Sequence, residues 1–139
     1  MKIVPLVVAA LAGGFFASVA LADPARDAIL GALADQARQA DPSFGGFSAD
    51  RGQAFWTATH TGGKPDTPSC TSCHGGDPAV AGATRAGKPI GPMAVSAAPE
   101  RFTDSEKVEK WFLRNCNGVV GRACTALEKG DVITYLSGK

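Results

Sequence analysis

The chain has 139 residues and is poor in the side chains that usually fill a core. It holds one tyrosine, two tryptophans and two methionines, one of them Met1. Beyond residue 22, Val, Ile, Leu and Phe occupy only 19 of 117 positions. A deficit that deep normally accompanies disorder, but disorder also calls for a large net charge. Here the formal charge is +1, and once Lys2 is set aside 13 basic residues face 13 acidic ones. The lack of a basic block argues against nucleic acid. The lack of a long apolar run after residue 22 excludes a polytopic membrane protein, and the length excludes a barrel or a multidomain enzyme. What remains is one domain whose core must be filled partly by something other than side chains.

The large apolar run that does exist lies at the start. Lys2 precedes an apolar stretch from Ile3 to Phe16, and Ala20-Leu21-Ala22 places small residues where a signal peptidase reads. Residues 1–22 therefore read as a signal peptide. Polar Asp23-Pro24 directly after it favours cleavage over a retained membrane anchor. The mature chain, 23–139, is expected in the periplasm, an oxidising compartment, free of the membrane.

The mature chain reads as helices joined by loops. Asp23-Pro24 opens a first helix to about Gln39, with Ile29, Leu33 and Ala37 spaced as one face. Ser48 caps a second helix to about Thr59 that carries Phe55 and Trp56. Gly75 to Pro99 has no periodicity, and so long an irregular stretch in a compact domain implies that it wraps something. Thr103-Asp104-Ser105-Glu106 has the form of a capping box and predicts a third helix with Val108, Trp111 and Phe112 on one face. Thr125-Ala126-Leu127-Glu128 is a second box. It predicts a last helix bearing Val132, Ile133, Tyr135 and Leu136, which stops near Gly138. No strand is expected, so the fold class is all-α with a long central loop.

Cys70-Thr71-Ser72-Cys73-His74 is the most specific feature. C-x-x-C-H is the signature of c-type haem attachment. Two thiols on one turn can each add to a vinyl group on one haem edge, and the adjacent histidine then lies under the iron. A thiol–disulfide oxidoreductase using Cys70 and Cys73 needs no following histidine and usually places its motif at the end of a strand. A zinc site wants a second closely spaced pair, which Cys116 and Cys124 do not provide. One covalently bound haem c per chain fits both the motif and the missing core. In an exported protein the remaining pair, Cys116 and Cys124, defaults to a disulfide; two free thiols or an intermolecular link are the alternatives.

The iron's sixth position has four candidate solutions: Met93, His60, an Asn near the disulfide, or nothing. Met93 is the common choice for a small electron carrier closed in both oxidation states, but it stands only nineteen positions from His74. His60, at a helix end, would seal the iron and is also the one candidate for proton delivery in a reductase. An Asn115 amide oxygen is a hard, weak ligand, suited to ferric and poorly suited to ferrous iron. Asn115 also fits ordinary helix C-capping. Trp111, Phe112, Phe102 and Tyr135 read either as pocket wall or as helix-packing core. Lys88, Arg85 and Arg101 read as surface charge, with Arg101 the best placed of the three for a haem propionate.

Longer runs carry a family resemblance. They are Arg51-Gly52, Thr61-Gly62-Gly63-Lys64-Pro65-Asp66-Thr67-Pro68-Ser69-Cys70 and Cys73-His74-Gly75, then Arg101-Phe102-Thr103-Asp104 and Val108-Glu109-Lys110-Trp111, and finally Arg114-Asn115-Cys116-Asn117, Gly121-Arg122 and Cys124-Thr125. From about Arg51 to Leu136 the chain resembles the sphaeroides haem protein (SHP) family of small monohaem c-type cytochromes. The resemblance implies a class I-like cytochrome c fold, with helices wrapped around one covalently bound haem. It implies His74 as proximal ligand, Asn115 as sixth ligand in the ferric state, and a Cys116–Cys124 disulfide. It implies loss of the asparagine on reduction and binding of oxygen, nitric oxide or carbon monoxide. It also implies electron exchange with a partner cytochrome, a dihaem cytochrome c. An electron carrier and gas-binding protein is expected, not an enzyme.

Overall fold

The computed structural model describes residues 22–139. The expected signal peptide lies outside the described residues, apart from Ala22. The elements are α1 (Pro24–Ala40), α2 (Ala49–Thr57), α3 (Thr71–His74), β1 (Gly82–Ala83), β2 (Pro89–Ile90), α4 (Ser105–Val119) and α5 (Ala126–Ser137). Among the described residues no helix is long and apolar enough to cross a membrane.

Local chemistry explains most boundaries. The Asp23 carboxylate accepts from the amides of Ala25 and Arg26, and Pro24 occupies the first turn, where its missing N–H costs nothing. Ser48 accepts from the Arg51 amide and opens α2. That helix stops at Thr57, two residues before the expected end, because the chain turns back and the His60 amide donates to the Pro68 carbonyl. Thr125 and Glu128 form the expected reciprocal capping box of α5.

The box expected at α4 is different. Its N-cap is Asp104, whose carboxylate accepts from the Lys107 amide at 3.0 Å. Thr103 points away, its hydroxyl donating to the Glu100 carbonyl at 2.7 Å. The preceding Phe102 holds a left-handed backbone, φ 63°, and a charged carboxylate is the stronger acceptor for a helix N-terminus. A second correction concerns strands. β1 and β2 form a two-residue antiparallel ladder, Gly82 opposite Ile90 and Ala83 opposite Pro89. The Thr84–Lys88 turn closes it, with the Lys88 carbonyl accepting from the Thr84 amide. Two-residue strands carry too little alternation to be read from a sequence.

Helix α5 is the centre of the packing. Its Ile133 joins Ile29 and Leu33 of α1 and Val108 of α4 in one buried cluster. Its Val132, Tyr135 and Leu136 join Trp56 of α2 in a second, against which Cys70, Met93, Phe102 and Phe112 pack partly buried. At the crossing of α2 and α5, a Cβ on Gly52 would overlap the Asp131 carbonyl. Glycine is what allows the two helices to approach so closely.

Two buried charges hold the frame. Arg26 is 4% exposed and on the same face as Ile29 and Leu33; its guanidinium donates to the carbonyls of Pro99 and Arg101. Asp131, also 4% exposed, accepts from the Ser48 amide and from Arg51 Nε and Nη2. The central loop is pinned as well. The Met93 and Ala94 amides donate to the Pro78 carbonyl, and the Val95 and Ser96 amides donate to Leu136 and Lys139 at the end of α5.

Candidate haem site

The C-x-x-C-H segment forms a single helical turn, α3, with Cys70 at its N-cap. Ser69 anchors that turn to α2: its hydroxyl donates to the Trp56 carbonyl at 3.2 Å and accepts from the Thr71 amide at 3.3 Å. Behind it, Gly82 of β1 lies against the backbone of Cys73 and His74, where a Cβ would collide with the Cys73 carbonyl. The short ladder thus backs the attachment turn.

Both thiols are free and partly buried. Burial pushes the Cys70 thiol up to about 11. His74 packs on Trp56, with ring centroids 5.1 Å apart and planes tilted by 34°. Burial first, and the Arg101 charge second, push the imidazole down to about 4. It is held in the neutral form, which is the form that ligates a metal. Two buried nitrogens, His74 Nδ1 and Trp56 Nε1, have no hydrogen-bond partner among the described residues. Unpartnered buried polar atoms are costly unless another group meets them. Together with the half-buried apolar row of Met93, Phe102 and Phe112, the donor set fits a flat, apolar group with a ligand-accepting metal.

Asn115 lies four residues before the end of α4, exposed, one turn beyond Trp111. Helix α4 continues through Gly118 and Val119, and the chain reverses only at Val120 and Gly121. Next to Asn115, Cys116 is disulfide-bonded to Cys124, with Cα atoms 5.7 Å apart. The ring spans nine residues, and its closure is worth about 2.6 kcal/mol in the chain-entropy model. A second restraint had no signal in the sequence. The Gly62-Gly63-Lys64 segment lies on this turn, and the Lys64 amide donates to the Gly118 carbonyl at 2.7 Å.

The other candidates fall elsewhere. His60 Nε2 donates to the Phe55 carbonyl at 3.1 Å and its ring packs on Phe55. Arg101 donates to the carbonyls of Pro92 and Gly91 and so fixes the loop before Met93. Arg85 pairs at 3.6 Å with Asp66 on the surface, and Lys88 is exposed. Tyr135 is core, Phe102 and Phe112 are half-buried, and Trp111 is 49% exposed. Trp111 therefore does not share the buried packing of Val108, as a common face had suggested: it sits on the shoulder of α4, with the Arg114 guanidinium 5.5 Å above its ring.

A C-x-x-C-H turn backed by tryptophan, on a mostly helical frame with a wrapped loop, defines a c-type cytochrome. Comparison with known proteins carries the assignment further. A family described as a domain of unknown function, DUF1924, matches residues 42–136. Cytochrome c-type protein SHP of Cereibacter sphaeroides is 59% identical over 91 residues, 66% of this chain and 70% of the relative. Cytochrome c'' of Methylophilus methylotrophus is 33% identical over 138 residues, 98% and 94% of the two chains. The structure of oxidised SHP, an oxygen-binding cytochrome c, superposes with a TM-score of 0.76 at 48% identity, covering 82% of this chain and 96% of that one. Oxidised cytochrome c'' gives 0.70 at 31% identity, covering 81% and 92%. The chain belongs to the SHP family of c-type cytochromes, and its cofactor is covalently bound haem c.

Proposed function

We propose that the chain is an exported monohaem cytochrome that exchanges electrons with a partner cytochrome, a dihaem cytochrome c, and whose reduced form takes up a diatomic gas. When bound, the haem would supply a one-electron iron couple. Cys70 and Cys73 would tether it by thioether bonds, and His74 would ligate its iron. Asn115 would be its second, weaker ligand in the ferric state, and release of that ligand on reduction would leave the ferrous form open to oxygen, nitric oxide or carbon monoxide. Among the relatives, SHP is described as oxygen binding.

The observation that carries the reading is the restraint around Asn115. The disulfide at Cys116 and the docked Gly62–Lys64 segment hold the end of α4 at a set height. A rigid mount lets an intrinsically weak oxygen donor serve one oxidation state and fail in the other. Met93 is less well placed for that position. Its amide is tied to Pro78, and its side chain packs on the cluster of Trp56, the residue stacked on His74. A thiol–disulfide oxidoreductase is disfavoured because burial raises the Cys70 thiol, whereas redox-active thiols are lowered.

The test is one anaerobic spectrum of the reduced holoprotein with and without carbon monoxide. A high-spin spectrum that shifts with carbon monoxide is expected. A low-spin, unreactive spectrum would sink the gated site in favour of Met93.

A further inference from the structure

We infer that Phe102 is a haem-positioning residue and that Arg26 of α1 holds it in place. The inference needs only the attached haem and does not depend on which group takes the sixth position. Phe102 has φ 63°, and among the described residues no other residue except glycine has a positive φ. A bulky side chain is unfavourable in that left-handed region and persists only where its surroundings over-determine it. Those surroundings are present. The Arg26 guanidinium donates to the Pro99 carbonyl at 2.6 Å and to the Arg101 carbonyl at 3.0 and 3.1 Å. It thus clamps the peptide that enters Phe102, 75 positions from Arg26 to Arg101 along the chain. The Arg101 amide donates to the Ala98 carbonyl, and its guanidinium fixes Pro92 and Gly91. On the far side, the Thr103 hydroxyl donates to the Glu100 carbonyl. The turn is tied before and after Phe102.

Glycine would take this backbone freely, so what phenylalanine adds is its ring. The ring packs against both buried clusters, the one built on Ile133 and the one built on Trp56 and Leu136. Cys70 and Met93 cover that second cluster too, and its Trp56 stacks on His74. Phe102 stays only half-buried there, which leaves part of the ring for a haem. An apolar wall at that place keeps water from the haem and so favours the less charged ferrous iron. Arg26 acts on the site through the turn, and it is therefore a positioning residue.

The test is a double-mutant cycle on the holoprotein, Phe102→Gly and Arg26→Lys, read by the haem reduction potential and by Soret circular dichroism. Glycine keeps the left-handed turn and removes the ring. Lysine keeps the charge but replaces the planar fork that meets two carbonyls with a single ammonium. Each single variant should shift the potential downward, because water then reaches the haem, and each should weaken the Soret dichroism. In the Phe102→Gly background, Arg26→Lys should add no further shift, since the ring through which it acts is gone. Phe102→Ala should unfold at lower urea than Phe102→Gly, because alanine keeps the strain. Unchanged haem readouts in Phe102→Gly, with only stability lowered, would make Phe102 ordinary core and overturn the inference. So would an Arg26→Lys variant with no haem shift, or equal Arg26→Lys shifts in both backgrounds, which would place the effect on Arg101. A Phe102→Ala variant as stable as Phe102→Gly would remove the strain on which the inference stands.

Discussion

The Lys64 amide donates to the Gly118 carbonyl at 2.7 Å, joining the segment that leads into the attachment turn to the helix end that bears Asn115. Cys70 and Asn115 are 45 positions apart in the chain, yet their supporting loops touch. Both sides of the proposed iron site are therefore braced against each other by backbone, before any cofactor contact is considered.

Gly121 tests this brace. It has φ 78°, and a Cβ there would run into the Gly62 carbonyl. Gly121→Ala should cost about 1–3 kcal/mol. It should also raise the high-spin fraction of the ferric spectrum, because the mount of Asn115 shifts. A denaturation midpoint and a ferric spectrum check the two parts separately. A stability loss with an unchanged spectrum would show that the brace does not position the ligand.

The sixth-ligand assignment separates two variants. Asn115→Ala should leave the ferric iron high-spin, whereas Met93→Leu should leave the ferric spectrum unchanged and cost under about 1.5 kcal/mol, since the volume is nearly conserved. The reverse pattern would transfer the role to Met93.

Asp131 is the main polar contact between α5 and the start of α2. Asp131→Ala removes the acceptor of the Ser48 amide and of Arg51. The carboxylate is buried, but half of the Arg51 side chain is exposed and can turn to water. The cost is therefore expected near about 2–3 kcal/mol, the range for hydrogen bonds to a charged group, below that of a wholly buried pair. Urea unfolding of the holoprotein measures it.

Glu128 makes stability depend on pH. Hydrogen bonds from Arg122, foremost, and from Thr125 hold its carboxyl below the ordinary 4.5. A lowered folded value means that the unfolded state takes up the proton first. The contribution is complete above pH 4.5 and is lost as pH falls through the lowered value. Thermal midpoints between neutral pH and pH 3 should fall less steeply in Glu128→Gln than in the wild type. Parallel curves would show that the Arg122 pair adds nothing measurable.

Several features were legible because their physics is local. C-x-x-C-H needs only one turn of chain, so the attachment segment could be named from five residues. The caps of α1, α2 and α5 act within three or four residues, and the Ile29, Leu33, Ala37 stripe is a helical period. The α4 cap was misread because Thr103 and Asp104 are both competent caps. The choice was made by the left-handed Phe102 and by the Glu100 carbonyl that captured the Thr103 hydroxyl.

The sequence by itself determined that this chain cannot fill its own core, that it carries a haem attachment turn, and where α1, α2 and α5 begin. Tertiary structure alone decided which charges are buried, Arg26 against Pro99 and Arg101 and Asp131 against Ser48 and Arg51. It alone laid Gly62–Lys64 on the turn after Asn115, and it left Trp111 on an exposed shoulder while Val108 went inside. The physical reason is range. Caps, turns and periodicity are written by neighbours within about four residues, whereas these pairings join residues more than fifty positions apart and exist only once the helices have packed.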